Sequence, residues 1–127
     1  MLGMTRVHHV AVCVTDLDRA ERFYGGVLGF TPIDRPVFRV PGTWYELPDG
    51  SQLHLIQHAG TRTLRGTTDI DLADGHFAIR VSDFNGAVAH LRAHGVEVLE
   101  LQQNPTAWKQ VYFTDPDGNV IELNADR

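Results

Sequence analysis

The chain has 127 residues, 43% of them hydrophobic, with a formal net charge of −5, enough apolar material for one compact domain or two small half-domains. Its 11 Lys and Arg residues are scattered, which speaks against the clustered basic face of a nucleic-acid or anionic-membrane binder. One cysteine, Cys13, excludes an internal disulfide framework, and with no early apolar run and none long enough to span a bilayer, the expected location is the cytoplasm.

Residues 7–14 alternate and are rich in β-branched side chains, the pattern of a strand. Asp16 stands where a helix N-cap belongs, and Leu17, Ala20, Tyr24 and Val27 form an apolar stripe that stops at Gly29. Three shorter extended runs follow, the last two joined by a tight turn at Asp49-Gly50. Residues 59–72 carry no periodicity and read as a connector. The same series then repeats. Residues 76–81 form a strand and Asp83 an N-cap, Phe84, Ala87, Val88 and Leu91 follow helical spacing, Gly95 is the stop, and a tight turn falls at Asp117-Gly118.

The repetition is visible residue by residue. Residues 9–20 (HVAVCVTDLDRA) lie over residues 76–87 (HFAIRVSDFNGA) with five of twelve positions identical, and 49–55 (DGSQLHL) lie over 117–123 (DGNVIEL). Two separate matches at nearly one offset imply a duplicated β-α-β-β-β module, about 5–58 and 73–126, in a single 1–127 domain of the α+β class.

Strand side chains alternate between faces. The large apolar neighbours of His9, His54, His76 and Glu122 belong against the helices, so these four polar residues belong on the opposite face of their sheets. Three imidazoles and one carboxylate suit one divalent transition metal per site, Zn, Ni, Co, Mn or Fe. If His54 stands aside, His9, His76 and Glu122 form the two-His, one-carboxylate set of non-haem iron oxygenases. Arg80, Tyr112, Trp44 and Cys13 are candidates to line a substrate pocket on the same face, although Cys13 also suits a small apolar filler. Arg35 and Arg39 flank a Pro-containing loop where an anionic tail could be met. His8, His58, His90 and His94 read as structural.

With its opening His9-His-Val-Ala-Val, the stretch Phe23-Tyr24-Gly-Gly-Val-Leu-Gly29-Phe30 and the closing Phe113-Thr-Asp-Pro-Asp-Gly118-Asn-Val-Ile-Glu122, the chain resembles the vicinal oxygen chelate superfamily of glyoxalases, fosfomycin-resistance transferases, epimerases and extradiol dioxygenases. The resemblance implies two βαβββ modules whose mixed sheets curve into a metal-binding cup with helices outside, and ligands from the first and last strands of each. It also implies a homodimer. The implied function is glyoxalase-like lyase or isomerase chemistry on a small molecule with adjacent oxygens, through a metal-stabilised oxyanion and with Glu122 as the catalytic group. The alternatives are an Fe(II) extradiol-type dioxygenase or a non-catalytic binder of an antibiotic or toxin. Glyoxalase I relatives carry arginine where this chain has Cys13 and glutamate where it has His54, which weakens a glutathione adduct as substrate. Ala11, in place of a hydroxyl or thiol residue, weakens fosfomycin.

Overall fold

Two units carry the chain in the computed structural model, which describes residues 1–60, 64–101 and 103–127. One runs Met1–Arg62 and the other Thr63–Arg127.

The first unit opens with β1 (His9–Val14). The strand starts two residues later than its sequence pattern suggests, because its neighbour begins at Gln52, the partner of His9. Asp16 caps α1 (Leu17–Glu21), its carboxylate accepting the Arg19 N–H at 3.0 Å. This helix then widens into a π-helical turn, Arg22–Val27, with Leu28 N–H donating to Phe23 O at 2.9 Å. The expected regular helix up to Gly29 is therefore short. Successive residues turn less in a π-helix than in an α-helix, and that lets the adjacent Phe23 and Tyr24 both be buried. Gly29 ends the segment at φ +76, a conformation that side chains other than glycine rarely accept. β2 (Thr31–Ile33), β3 (Gly42–Glu46) and β4 (Gln52–Gln57) complete a sheet of order β1-β4-β3-β2, parallel only between β1 and β4.

The second unit repeats the design. β5 (Phe77–Arg80) is followed by α2 (Phe84–Ala93), which Asp83 caps by accepting the Gly86 N–H at 2.9 Å. β6 (Leu99–Leu101), β7 (Trp108–Thr114) and β8 (Val120–Asp126) give the order β5-β8-β7-β6, again parallel only at β5–β8. The architecture is α+β, two βαβββ units each with its own mixed sheet.

Each sheet has a helix side. In the second unit Phe84 and Val88 of α2 pack with Val111, Ala125 and Leu123. These strand residues alternate with Tyr112, Glu122 and Asn124, which therefore look the other way. In the first unit Thr43 of β3 donates to Glu21 of α1, and the Leu17 N–H donates to the Gln57 side chain. That places Thr43, Tyr45, Leu53, Leu55 and Gln57 on the helix side and Trp44, His54 and Gln52 on the far side.

Of the connector, residues 61–63 lie outside the described residues, and residues 64–72 hold neither helix nor strand. Arg65 ties this stretch down, donating to Asp74, to the Asp69 carbonyl and to the Gly118 carbonyl.

Candidate functional site

On the far side of the first sheet, His9 and His54 stack ring on ring, 4.1 Å between centroids and 15° from parallel. The register explains the meeting: His54 lies beside Ala11 on the neighbouring parallel strand, one pleat from His9 on the same face. Trp44, paired with His54 across β3–β4, stacks on its other side at 4.0 Å and 5°. His54 Nε2 donates to Gln52 Oε1 at 2.8 Å, leaving Nδ1 as the lone-pair nitrogen of the neutral ring. Burial first, then the charges of His9, His8 and Arg35, push its pKa below the ordinary value of 6.5, so His54 is held in the neutral form that binds metals. His8 joins the group through an Nδ1–Nδ1 hydrogen bond to His9 of 2.9 Å, a partnership its opposite strand parity did not suggest.

In the second unit His76 stands just before β5. Its Nδ1 donates to the Asp74 carbonyl at 2.9 Å, which in the neutral imidazole leaves Nε2 with the lone pair. That nitrogen faces Glu122 Oε1 at 3.4 Å. Glu122 is buried. Burial alone would raise its carboxyl, but hydrogen bonds, chiefly with Asn124, Tyr112 and Gln110, hold it below the ordinary range. Asn124 Nδ2 donates to Oε2 at 2.7 Å. The Tyr112 hydroxyl accepts from Gln110 Nε2 at 3.2 Å, and burial together with the Glu122 contact pushes its pKa to about 12. Tyr112 is thus a neutral donor to the carboxylate.

The donor chemistry fits a divalent metal. Two ligands each about 2.1 Å from one ion lie roughly 3–3.5 Å apart, the span between His76 Nε2 and Glu122 Oε1. The carbonyl behind His76 and the amide behind Glu122 orient these donors as second-layer groups do in metal proteins. The structure thus pairs His9 with His54 and His76 with Glu122. Among the described residues no group of three or more His, Cys, Asp and Glu side chains is gathered for a metal.

The lining candidates fall differently. Trp44 and Tyr112 are the aromatic neighbours of His54 and His76. Cys13 is half-buried on the His9 face. Arg80 is half-exposed at the sheet end, where it pairs with Asp126 at 2.7 Å and covers the Trp108 ring. Asn124, Gln110 and Gln52 escaped notice in the sequence. The signal was present, since Asn124 and Gln52 stand two residues from Glu122 and His54 and must share their faces.

Residues 6–123 match the model of the Glyoxalase/Bleomycin resistance protein/Dioxygenase superfamily. The chain belongs to this superfamily. It is 33% identical to the uncharacterized protein YaeR of Escherichia coli strain K12, over 97% of this chain and 98% of that one. It is 31% identical to a 2-epi-5-epi-valiolone epimerase of an Actinomyces species, over 95% of this chain and 79% of the relative. Among solved structures, TnmS3, an antibiotic-binding protein from Streptomyces sp. CB03234, superposes with a TM-score of 0.77 at 25% identity, covering 100% of both chains. Vicinal oxygen chelate membership and the βαβββ fold, which the sequence motifs suggested, are thereby established. Among the described residues no helix is long and apolar enough to cross a membrane.

Proposed function

We propose that His9 and His54 in the first unit and His76 and Glu122 in the second are ligands for a divalent transition metal, and that the protein is a glyoxalase-like isomerase or lyase for a small molecule with adjacent oxygen atoms. The observation that carries this reading is the facing pair in the second unit. His76 Nε2 and Glu122 Oε1 stand 3.4 Å apart, and two lone-pair donors so placed repel unless a cation or a proton lies between them. A divalent ion there would supply Lewis acidity toward a substrate's adjacent oxygens. Glu122 is the proton-transfer group: Asn124 holds Oε2, and Oε1, partly released from the metal, would take up or deliver a proton. Trp44 and Tyr112 exclude water beside the two pairs. One relative is named as an epimerase, and inverting a carbon centre by removing and returning a proton would use such a group. The working form is a homodimer, in which the partner covers exposed sheet edges.

The test is metal content of protein purified without chelator or nickel affinity, beside a His76→Ala variant. About one ion per chain, lost in the variant, is the expected result. Wild-type protein that refuses Zn, Ni, Mn and Fe(II) would overturn the proposal. Iron as the resident ion, with oxygen uptake in the presence of a catechol, would move the reaction to a dioxygenase.

One observation favours a second reading. The Trp44–His54–His9 stack presents a continuous aromatic edge suited to a flat ligand, and the structural neighbour TnmS3 is an antibiotic-binding protein. Retention of a planar antibiotic without chemical conversion would support a sequestering role.

A further inference from the structure

Position for position, β3 of the first unit and β7 of the second correspond with an offset of 68: Trp44 pairs with His54 as Tyr112 pairs with Glu122. Two residues earlier the second unit has Gln110, whose side chain bonds Tyr112, and the first unit has Gly42. The space above Gly42 is filled by an arginine. A Cβ at Gly42 would stand 2.8 Å from Arg35 Nη2 and 2.9 Å from Arg35 Cζ, and would collide with the Leu55 carbonyl. The guanidinium of Arg35, from the loop between β2 and β3, thus fills the space over Gly42, on the face of Trp44 and His54.

Its partners there do not neutralise it. Nη2 donates to the Val40 carbonyl at 2.9 Å, and the Phe38 ring lies 4.8 Å from Cζ. Nε is buried with no hydrogen-bond partner. No carboxylate pairs with Arg35 among the described residues, whereas Arg80 and Arg92 have theirs at 2.7 Å. A partly buried cation with no carboxylate partner costs free energy that an incoming anion recovers. The neighbouring ring is itself stacked: Phe38 lies 6.1 Å from Trp44, which covers His54.

We propose that Arg35 is an anion receptor on the far face of the first unit, taking a carboxylate or phosphate group of the small-molecule substrate. This deepens the proposed function, on which it rests, by naming what its substrate must carry. Gly42 and Trp44 are two residues apart on one face, so the anionic group sits about 7 Å along the strand from the level of His54. A guanidinium offers a planar fork to an oxyanion, which a lysine cannot copy.

The experiment titrates inorganic phosphate and malonate into chelator-treated protein at constant ionic strength, following the unfolding midpoint as a measure of binding. Metal uptake is measured separately on each variant. Wild-type protein is expected to bind at least one of the two anions, and which one tells phosphate from carboxylate recognition. Arg35→Gln should weaken that binding tenfold or more while metal uptake stays as in wild type, and Arg92→Gln should leave both unchanged. Arg35→Lys, which keeps the charge and protects the loop if Arg35→Gln fails to fold, should weaken binding several-fold. Unchanged affinity in Arg35→Lys and Arg35→Gln, no anion binding by wild type, or loss in Arg92→Gln instead would overturn the inference. If wild type takes up no metal yet loses anion binding in Arg35→Gln, the metal reading fails and the anion receptor stands. If metal is taken up and anion binding is indifferent to Arg35, the metal site stands and the receptor fails.

Discussion

The two units share strand order, cap positions and turn positions, yet their corresponding side chains do opposite electrostatic work. The first unit presents a neutral stack: His54 lies between Trp44 and His9, and burial keeps it unprotonated. The second presents a buried anion, Glu122, held chiefly by Asn124, Tyr112 and Gln110. Duplication preserved the backbone because sheet register and capping depend on position. The chemistry diverged because a side chain on the far face of a sheet is free of the helix-packing constraint. Even the helices diverged. α2 is regular, whereas α1 gives way to a π-helical turn where Phe23 and Tyr24 are buried together.

Several substitutions would break or sharpen this contrast. The largest effect is expected at the anion: Glu122→Gln keeps the shape and removes the base, and turnover should fall about 10²-fold or more, measured once a substrate is in hand. Unchanged turnover would take catalysis away from the second unit. Next, Phe113→Ala in the fully buried centre of the second unit should cost about 3–5 kcal/mol in chemical denaturation. Tyr45→Ala, at the corresponding place in the first unit, should fall in the same range. A cost confined to one of them would show that the two cores are not equivalent.

The pH dependence should also separate the units. His54 has its folded value lowered, so the unfolded chain takes up the proton first. Its contribution to stability is complete above about 6.5 and is lost as pH falls from there through the folded value. Glu122 is likewise lowered, and its contribution disappears only as pH falls below the carboxylate range near 4.5. Denaturation midpoints across pH should therefore decline in two stages, and His54→Gln should flatten the upper one alone. The smallest effects belong to the caps. Asp16→Ala and Asp83→Ala each remove one side-chain acceptor from a helix start and should cost about 1 kcal/mol. A markedly larger loss at Asp16 would show that the cap also supports the π-helical turn.

Much of the molecule was open to reading from the chain alone. The repeat, the Asp16 and Asp83 caps, the turns at Gly50 and Gly118 and the far-face placement of His54 and Glu122 follow from local rules: alternation along a strand, capping by a short acceptor, and positive φ at glycine. Such rules act over a few residues, so the sequence alone determined the order of the elements and the face each polar residue takes. What lay beyond it depends on pairs distant in sequence or on side-chain directions. The π-helical turn answers the burial of neighbouring aromatic rings. The Asn124 grip on Glu122 and the His8–His9 bond require side-chain directions that alternation does not specify. The seat of Arg35 over Gly42 requires a loop to fold back on a strand, and only the tertiary structure decides that, because packing rather than local propensity chooses which loop side chain fills the space a glycine leaves.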